Sequence, residues 1–185
     1  MPKDKYKVVP LCEQLVAITD DIKEALVLRQ MLHWLPNMTD VDRYLEEEME
    51  RQQTEEIDVP KTRGWIYKTG EEIAEETMIG SGATGRRRMS RLVDRGFLDQ
   101  RENPNQKWDR TLQYRPNVPA IEAALQEKGY SLQAIVGDHW PLFRRLISRD
   151  ECNRQTEDST DQPADSKGQD TDSARAHNAR TRSET

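Results

Sequence analysis

Cysteine is almost missing from this chain: Cys12 and Cys152 are its only two. Neither belongs to a C-x-x-C pair, and a reducing cytoplasm is the simplest setting for them. Apolar residues are also scarce. They make up 34% of the 185 residues, no more than the charged residues at 34%, whereas a globular domain is roughly 45–50% apolar and about 25% charged. One large packed core is therefore excluded, and one domain of about 100–150 residues with solvated segments is expected. No run approaches the ~18 apolar residues of a membrane span. Met1 to Lys7 is basic, but Glu13 breaks the stretch that follows before a signal core can build, so a secretory signal is not expected.

An excess of positive charge is missing too. Lys and Arg number 28 against 34 Asp and Glu, a net charge of −6, which taken alone argues against a nucleic-acid partner. The distribution reverses that inference. Residues 81–115 carry nine positive and four negative side chains, net +5, between an acidic block at 42–58 (net −6) and an acidic end at 150–185 (net −4). Fields are screened over roughly 8 Å at physiological salt, so the local block matters more than the total.

The apolar positions Leu11, Leu15, Ile18, Ile22, Ala25, Leu26 and Leu32 recur at helical spacing. Asp21 followed by Glu24 reads as a capping box for the main helix, which ends before Pro36. Thr39 and Asp40 cap a second helix whose stripe, Val41, Leu45 and Met49, is thin, so a solvated acidic insertion over 37–60 is expected. Residues 64–68 are β-prone. Thr69 and Glu72 form a further capping box, opening a short helix with Ile73 and Ala74 that ends near Thr77. Ser81 caps a basic helix with Gly85, Met89, Leu92 and Val93 inward and Gly96 as its stop. At 100° per residue, Ala83, Thr84, Arg87, Ser90 and Arg91 take the opposite face, with Arg88 and Arg95 on a flank and Arg86 near the apolar edge. Phe97–Arg101 and Trp108–Arg115 read as strands joined by the turn Asn103-Pro104-Asn105-Gln106, a hairpin. Pro119 opens a helix that stops at Gly129, and a last helix begins near Asp138. After Arg149 there is no aromatic residue and no Val, Ile, Leu or Met, so residues 150–185 are expected to be a disordered acidic tail.

Long helix, short strand, short helix, turn, basic helix and hairpin is the order of a winged helix-turn-helix. The expected class is mainly α with a small β-hairpin (α+β). An N-terminal arm spans 1–10, the winged domain 11–130, a C-terminal helix 131–149 and the tail 150–185. The run from Thr84 to Leu98, TGRRRMSRLVDRGFL, resembles the recognition helix and first wing strand of winged-helix proteins from phages, plasmids and integrated elements. Residues 64–68, GWIYK, residues 107–110, KWDR, and residues 24–30, EALVLRQ, are similar to that group as well. The likeness covers roughly residues 10–130 and implies a replication or regulatory protein. Gly85 departs from it, since the group carries a β-branched residue there, and the turn Gly80-Ser81-Gly82 is one residue longer.

Double-stranded DNA is the expected partner. A helix fits the major groove, arginine reads guanine with a two-pronged bond, and cations meet phosphates. The candidate contacts are Thr84, Arg86, Arg87, Arg88, Ser90, Arg91 and Arg95 on the helix, with Arg101, Lys107 and Arg110 on the wing; Asp94 and Asp99 are expected to pair with arginines. No enzyme, metal or cofactor is expected. His33, His139 and His177 lie far apart, and the G-x-G-x-x-G spacing at Gly80, Gly82 and Gly85 follows no strand of a βαβ unit. The alternative is a protein-interaction adaptor. Leu142, Phe143, Leu146 and Ile147 share one helix face, which either dimerises, docks a partner or covers the domain's own core.

Overall fold

The computed structural model describes residues 8–53, 60–104, 108 and 112–147. The expected N-terminal arm falls largely, and the 150–185 tail entirely, outside them, as do Lys107 and Arg110. The described residues are mainly helical with a small antiparallel sheet, an α+β arrangement. In chain order they form α1 (Glu13–Thr19), α2 (Ile22–Trp34), a 3-10 turn (Leu35–Asn37), α3 (Val41–Gln53), β1 (Ile66–Tyr67), α4 (Gly70–Thr77), α5 (Gly82–Asp94), β2 (Leu98–Arg101), β3 (Gln113–Pro116), α6 (Val118–Glu127), α7 (Leu132–Val136), a second 3-10 turn (Gly137–His139) and α8 (Trp140–Leu146).

The N-terminal stripe is two helices. Asp20 takes a left-handed conformation (φ 55°) and resets the helical phase, and Ile22 after it is exposed; Leu11 is exposed too, because it lies before the first turn of α1. Asp21 then caps α2, accepting hydrogen bonds from the Lys23 and Glu24 amides at 2.8 and 3.0 Å. Only half of the expected box forms, because Glu24 turns away toward α5. Val27, Leu28, Met31, Leu32 and Leu35 are fully buried and put this segment at the centre of the core. The second capping box is complete: Thr69 accepts from the Glu72 amide, and Glu72 accepts from the Thr69 amide.

The hairpin gains a third strand. The sheet order is β1-β3-β2, with Ile66 opposite Tyr114 and Asp99 opposite Arg115. Alternation sends Ile66, Leu98 and Tyr114 into the core and Arg115 to the other face. That face is covered by α3. The acidic helix is not a solvated insertion: Tyr44, Leu45 and Glu48 are buried, and α3 packs against α8. Glu48, solvent-facing by its sequence pattern, holds a core position because Arg115 neutralises it.

Of its three expected roles, the C-terminal face takes the last, covering the domain's own core. Phe143, Leu146 and Ile147 are buried and Leu142 is packed against them. These residues close the protein's own core, so the face expected for a homodimer or a docked partner is not free. Helix α7 is not legible from spacing. The fully buried Glu122 accepts a hydrogen bond from the Leu132 amide at 2.8 Å and joins α6 to its first turn.

Candidate nucleic-acid interface

Helix α5 presents one face to the core and one to solvent. Ser81 caps it, with its hydroxyl 3.4 Å from the Thr84 amide and 3.3 Å from the Thr84 hydroxyl. Gly85, Met89 and Leu92 are buried, while Ala83, Arg87, Ser90, Arg91 and Asp94 are exposed. Thr84 is half-buried beside its cap.

The five arginines divide into different roles. Arg87 is exposed and makes no ion pair or hydrogen bond among the described residues. Arg86 pairs directly with Glu71 at 2.7 Å on the exposed surface, a pairing of small energetic weight at this exposure. The hydrogen bond from Arg86 still holds the Glu71 carboxyl below its ordinary range. Arg88 is only 12% exposed and reaches Asp21 at 2.8 Å and Glu24 at 3.1 Å. Arg95 donates to the carbonyls of Ile18 and Thr19 at the end of α1 and lies 3.3 Å from Asp20. A basic group suits these helix-terminal carbonyls, which lack partners inside α1. Arg88 and Arg95, expected to meet phosphates, are instead engaged in docking α5 onto α1 and α2. Arg91 stands between the two groups: 3.3 Å from Glu24, yet 55% exposed.

At the end of β2, Arg101 donates to Gln113 at 2.7 Å and to the Lys61 carbonyl at 3.1 Å, with its guanidinium 4.2 Å above the Trp65 ring. Burial draws its pKa below the ordinary value, although an arginine keeps its charge in such a setting. Trp65 donates its indole N–H to the same Lys61 carbonyl at 2.9 Å. Lys61 pairs with Asp99, so that aspartate has a lysine partner instead of the expected arginine. Trp108, near the hairpin tip, is 97% exposed.

Sequence reasoning misses Glu24, Lys61, Trp65 and the Arg115 cluster. By its spacing Glu24 is a capping partner of Asp21, and only the packing of α2 on α5 reveals its other role. Lys61 and Trp65 lie in a stretch of near-neutral charge and reach Arg101 only through the fold. Beside α5, a cavity of about 400 Å³ is lined by Thr19, Asp20, Asp21, Glu24, Arg91, Asp94 and Arg95. Among the described residues, no group of three His, Cys, Asp or Glu side chains is arranged to hold a metal ion, and no helix is long and apolar enough to cross a membrane. Comparison with protein-family models, with curated proteins and with solved structures returned no match.

Proposed function

We propose that this chain is a DNA-binding protein of the winged helix-turn-helix type, acting in replication initiation or transcription control of a mobile element. Helix α5 enters the major groove, and the β2–β3 wing lies along the adjacent backbone. The observation that carries this reading is Arg87, an exposed guanidinium without a carboxylate partner among the described residues, on the same open face as Ser90 and Arg91. The order α2, β1, α4, α5, β2, β3, with α3 inserted between α2 and β1, and the strand order β1-β3-β2 support it. The adaptor reading loses its surface, because Phe143, Leu146 and Ile147 are buried within the domain.

A salt titration of duplex binding tests the proposal. Arg87→Ala lowers the slope of log K against log salt by roughly one, for the phosphate that the protein no longer neutralises. An unchanged slope sinks the assignment. Absence of any duplex binding at about 50 mM salt, where the sequence-independent electrostatic term is strong, favours a protein partner instead.

A further inference from the structure

Glu24 sits where α2 meets the basic helix. Its side chain is 3% exposed, and Oε1 lies 3.1 Å from Arg88 Nη1 and 3.3 Å from Arg91 Nη1. Its other oxygen is 3.9 Å from Arg95 Nη1. Asp21 adds a second carboxylate to Arg88, and Asp20 adds one to Arg95. Three guanidiniums on this edge of α5 therefore face three carboxylates from α2 and the residues before it. The edge is close to neutral, although the sequence of α5 is strongly basic.

We propose that Glu24 is a specificity-determining residue, an internal anion that occupies the place of a phosphate and withholds the Arg88–Arg91–Arg95 edge from sequence-independent contact with DNA. The proposal rests on the DNA-binding reading above. Non-specific affinity scales with the number of phosphates a protein neutralises. An edge that is already paired releases few counterions, so it adds little to that term. Arg91 is the residue on which this matters most. Its guanidinium is open to solvent while the carboxylate that holds it is not. A DNA group reaches Arg91 from the solvent side and competes with a partner fixed in place by burial. Only a phosphate or base edge in the right position wins that competition, whereas Arg87 answers to any phosphate nearby. Glu24 thus lowers indiscriminate binding and leaves the groove-facing geometry of the helix intact.

The test uses the full chain and a random-sequence duplex, with binding followed by fluorescence anisotropy across a salt series. Glu24→Gln keeps the size and one carbonyl acceptor and removes the charge. The expected result is a salt slope steeper by about one and roughly tenfold tighter binding near 50 mM salt, the effect of neutralising one more phosphate. Asp42→Asn, which removes the same charge from the exposed side of α3, leaves the slope unchanged, so a gain from Glu24→Gln does not reflect net charge alone. A folded Glu24→Gln protein with an unchanged or shallower slope overturns the proposal and leaves the DNA-binding reading standing. If Glu24→Gln fails to fold, the double variant Glu24→Gln/Arg88→Gln replaces the buried pair by two amides and is compared with Arg88→Gln alone. The double variant is then the steeper of the two, and equal slopes overturn the proposal. If the unaltered chain binds no duplex, both readings fall together.

Discussion

The carbonyl of Gly70, in the first turn of α4, lies so close to the Cα of Gly85 on α5 that a Cβ at position 85 would overlap its oxygen. The reverse approach is as tight, since a Cβ on Gly70 would meet Arg86 and the Gly82 carbonyl. The two helices cross backbone to backbone, which a β-branched residue at position 85 would not allow. This is the physical reason for the departure at Gly85. Replacing glycine by alanine within a helix is worth roughly 0.5–1 kcal/mol in propensity, but here the opposing group is backbone and cannot rotate away. Gly85→Ala is expected to lose about 1–3 kcal/mol in urea unfolding, the usual cost of overpacking. Equal or greater stability would mean that α4 and α5 move apart freely.

Arg115 makes a comparable commitment on the other side of the sheet. It is 3% exposed, pairs with Glu48, reaches Glu47 at 3.2 Å and donates to the Arg63 carbonyl at 3.0 Å, and its guanidinium lies 4.6 Å from the Tyr44 ring centre. Removing one partner of a buried pair leaves an uncompensated charge, so Arg115→Ala should cost about 3–5 kcal/mol, whereas replacing both members by apolar residues costs far less. Chemical denaturation of Arg115→Ala beside Arg115→Met/Glu48→Leu checks the contrast. Equal losses in the two variants would show that the charges are not the reason.

Acid should loosen the same corner. Burial pushes the Glu47 carboxyl upward, but hydrogen bonds from the Thr62 side chain and the Arg63 and Thr62 amides, with the charge of Arg115, outweigh it and hold the pKa below the ordinary 4.5. The unfolded chain therefore takes up this proton at a higher pH than the folded one. The contribution is fully present above pH 4.5 and is lost as pH falls through the lower folded value. Melting temperatures of the unaltered chain should fall across that acid window, and Glu47→Gln should flatten the decline. A decline of the same steepness in both would place the sensitive carboxylate elsewhere.

Local signals are legible in the sequence wherever one segment determines its own structure. The cap at Thr69, the cap at Ser81, the buried row Gly85, Met89 and Leu92, and the helix that carries Pro119 in its first turn all follow from spacing and turn chemistry. Long-range pairing is not legible. The pairing of β1 with β3, the burial of Glu48 beneath Arg115 and the capture of Arg88 by Glu24 each join segments more than 40 residues apart. The acidic block misleads for the same reason. Charge counted along the chain ignores partners that arrive from elsewhere: Arg115 and the Thr62–Arg63 amides lie outside residues 42–58 and reach this block only through the fold. The candidate site is legible as a helix and a face, but the division of labour among its arginines requires the neighbouring helices.

That division gives the sharpest contrast between adjacent residues. Arg87 and Arg88 are indistinguishable as letters, yet one is exposed without a partner among the described residues and the other is 12% exposed between Asp21 and Glu24. Arg87→Ala should leave stability within about 0.5 kcal/mol, as surface substitutions do. Arg88→Ala leaves the deeply buried Glu24 with only its longer approaches to Arg91 and Arg95. It also removes the charge that, with the amide hydrogen bonds from Glu24 and Lys23, outweighs desolvation and keeps the Asp21 carboxyl below its ordinary value. A loss of about 2–4 kcal/mol follows, toward the lower end of the range for broken buried pairs because two arginines remain nearby. The same two variants should reverse their order in DNA binding when each is measured under conditions where it is fully folded: Arg87→Ala loses about one unit of salt slope and Arg88→Ala loses little. Equal stability losses, or a larger slope change for Arg88→Ala, would show that burial and pairing do not set the roles of these arginines.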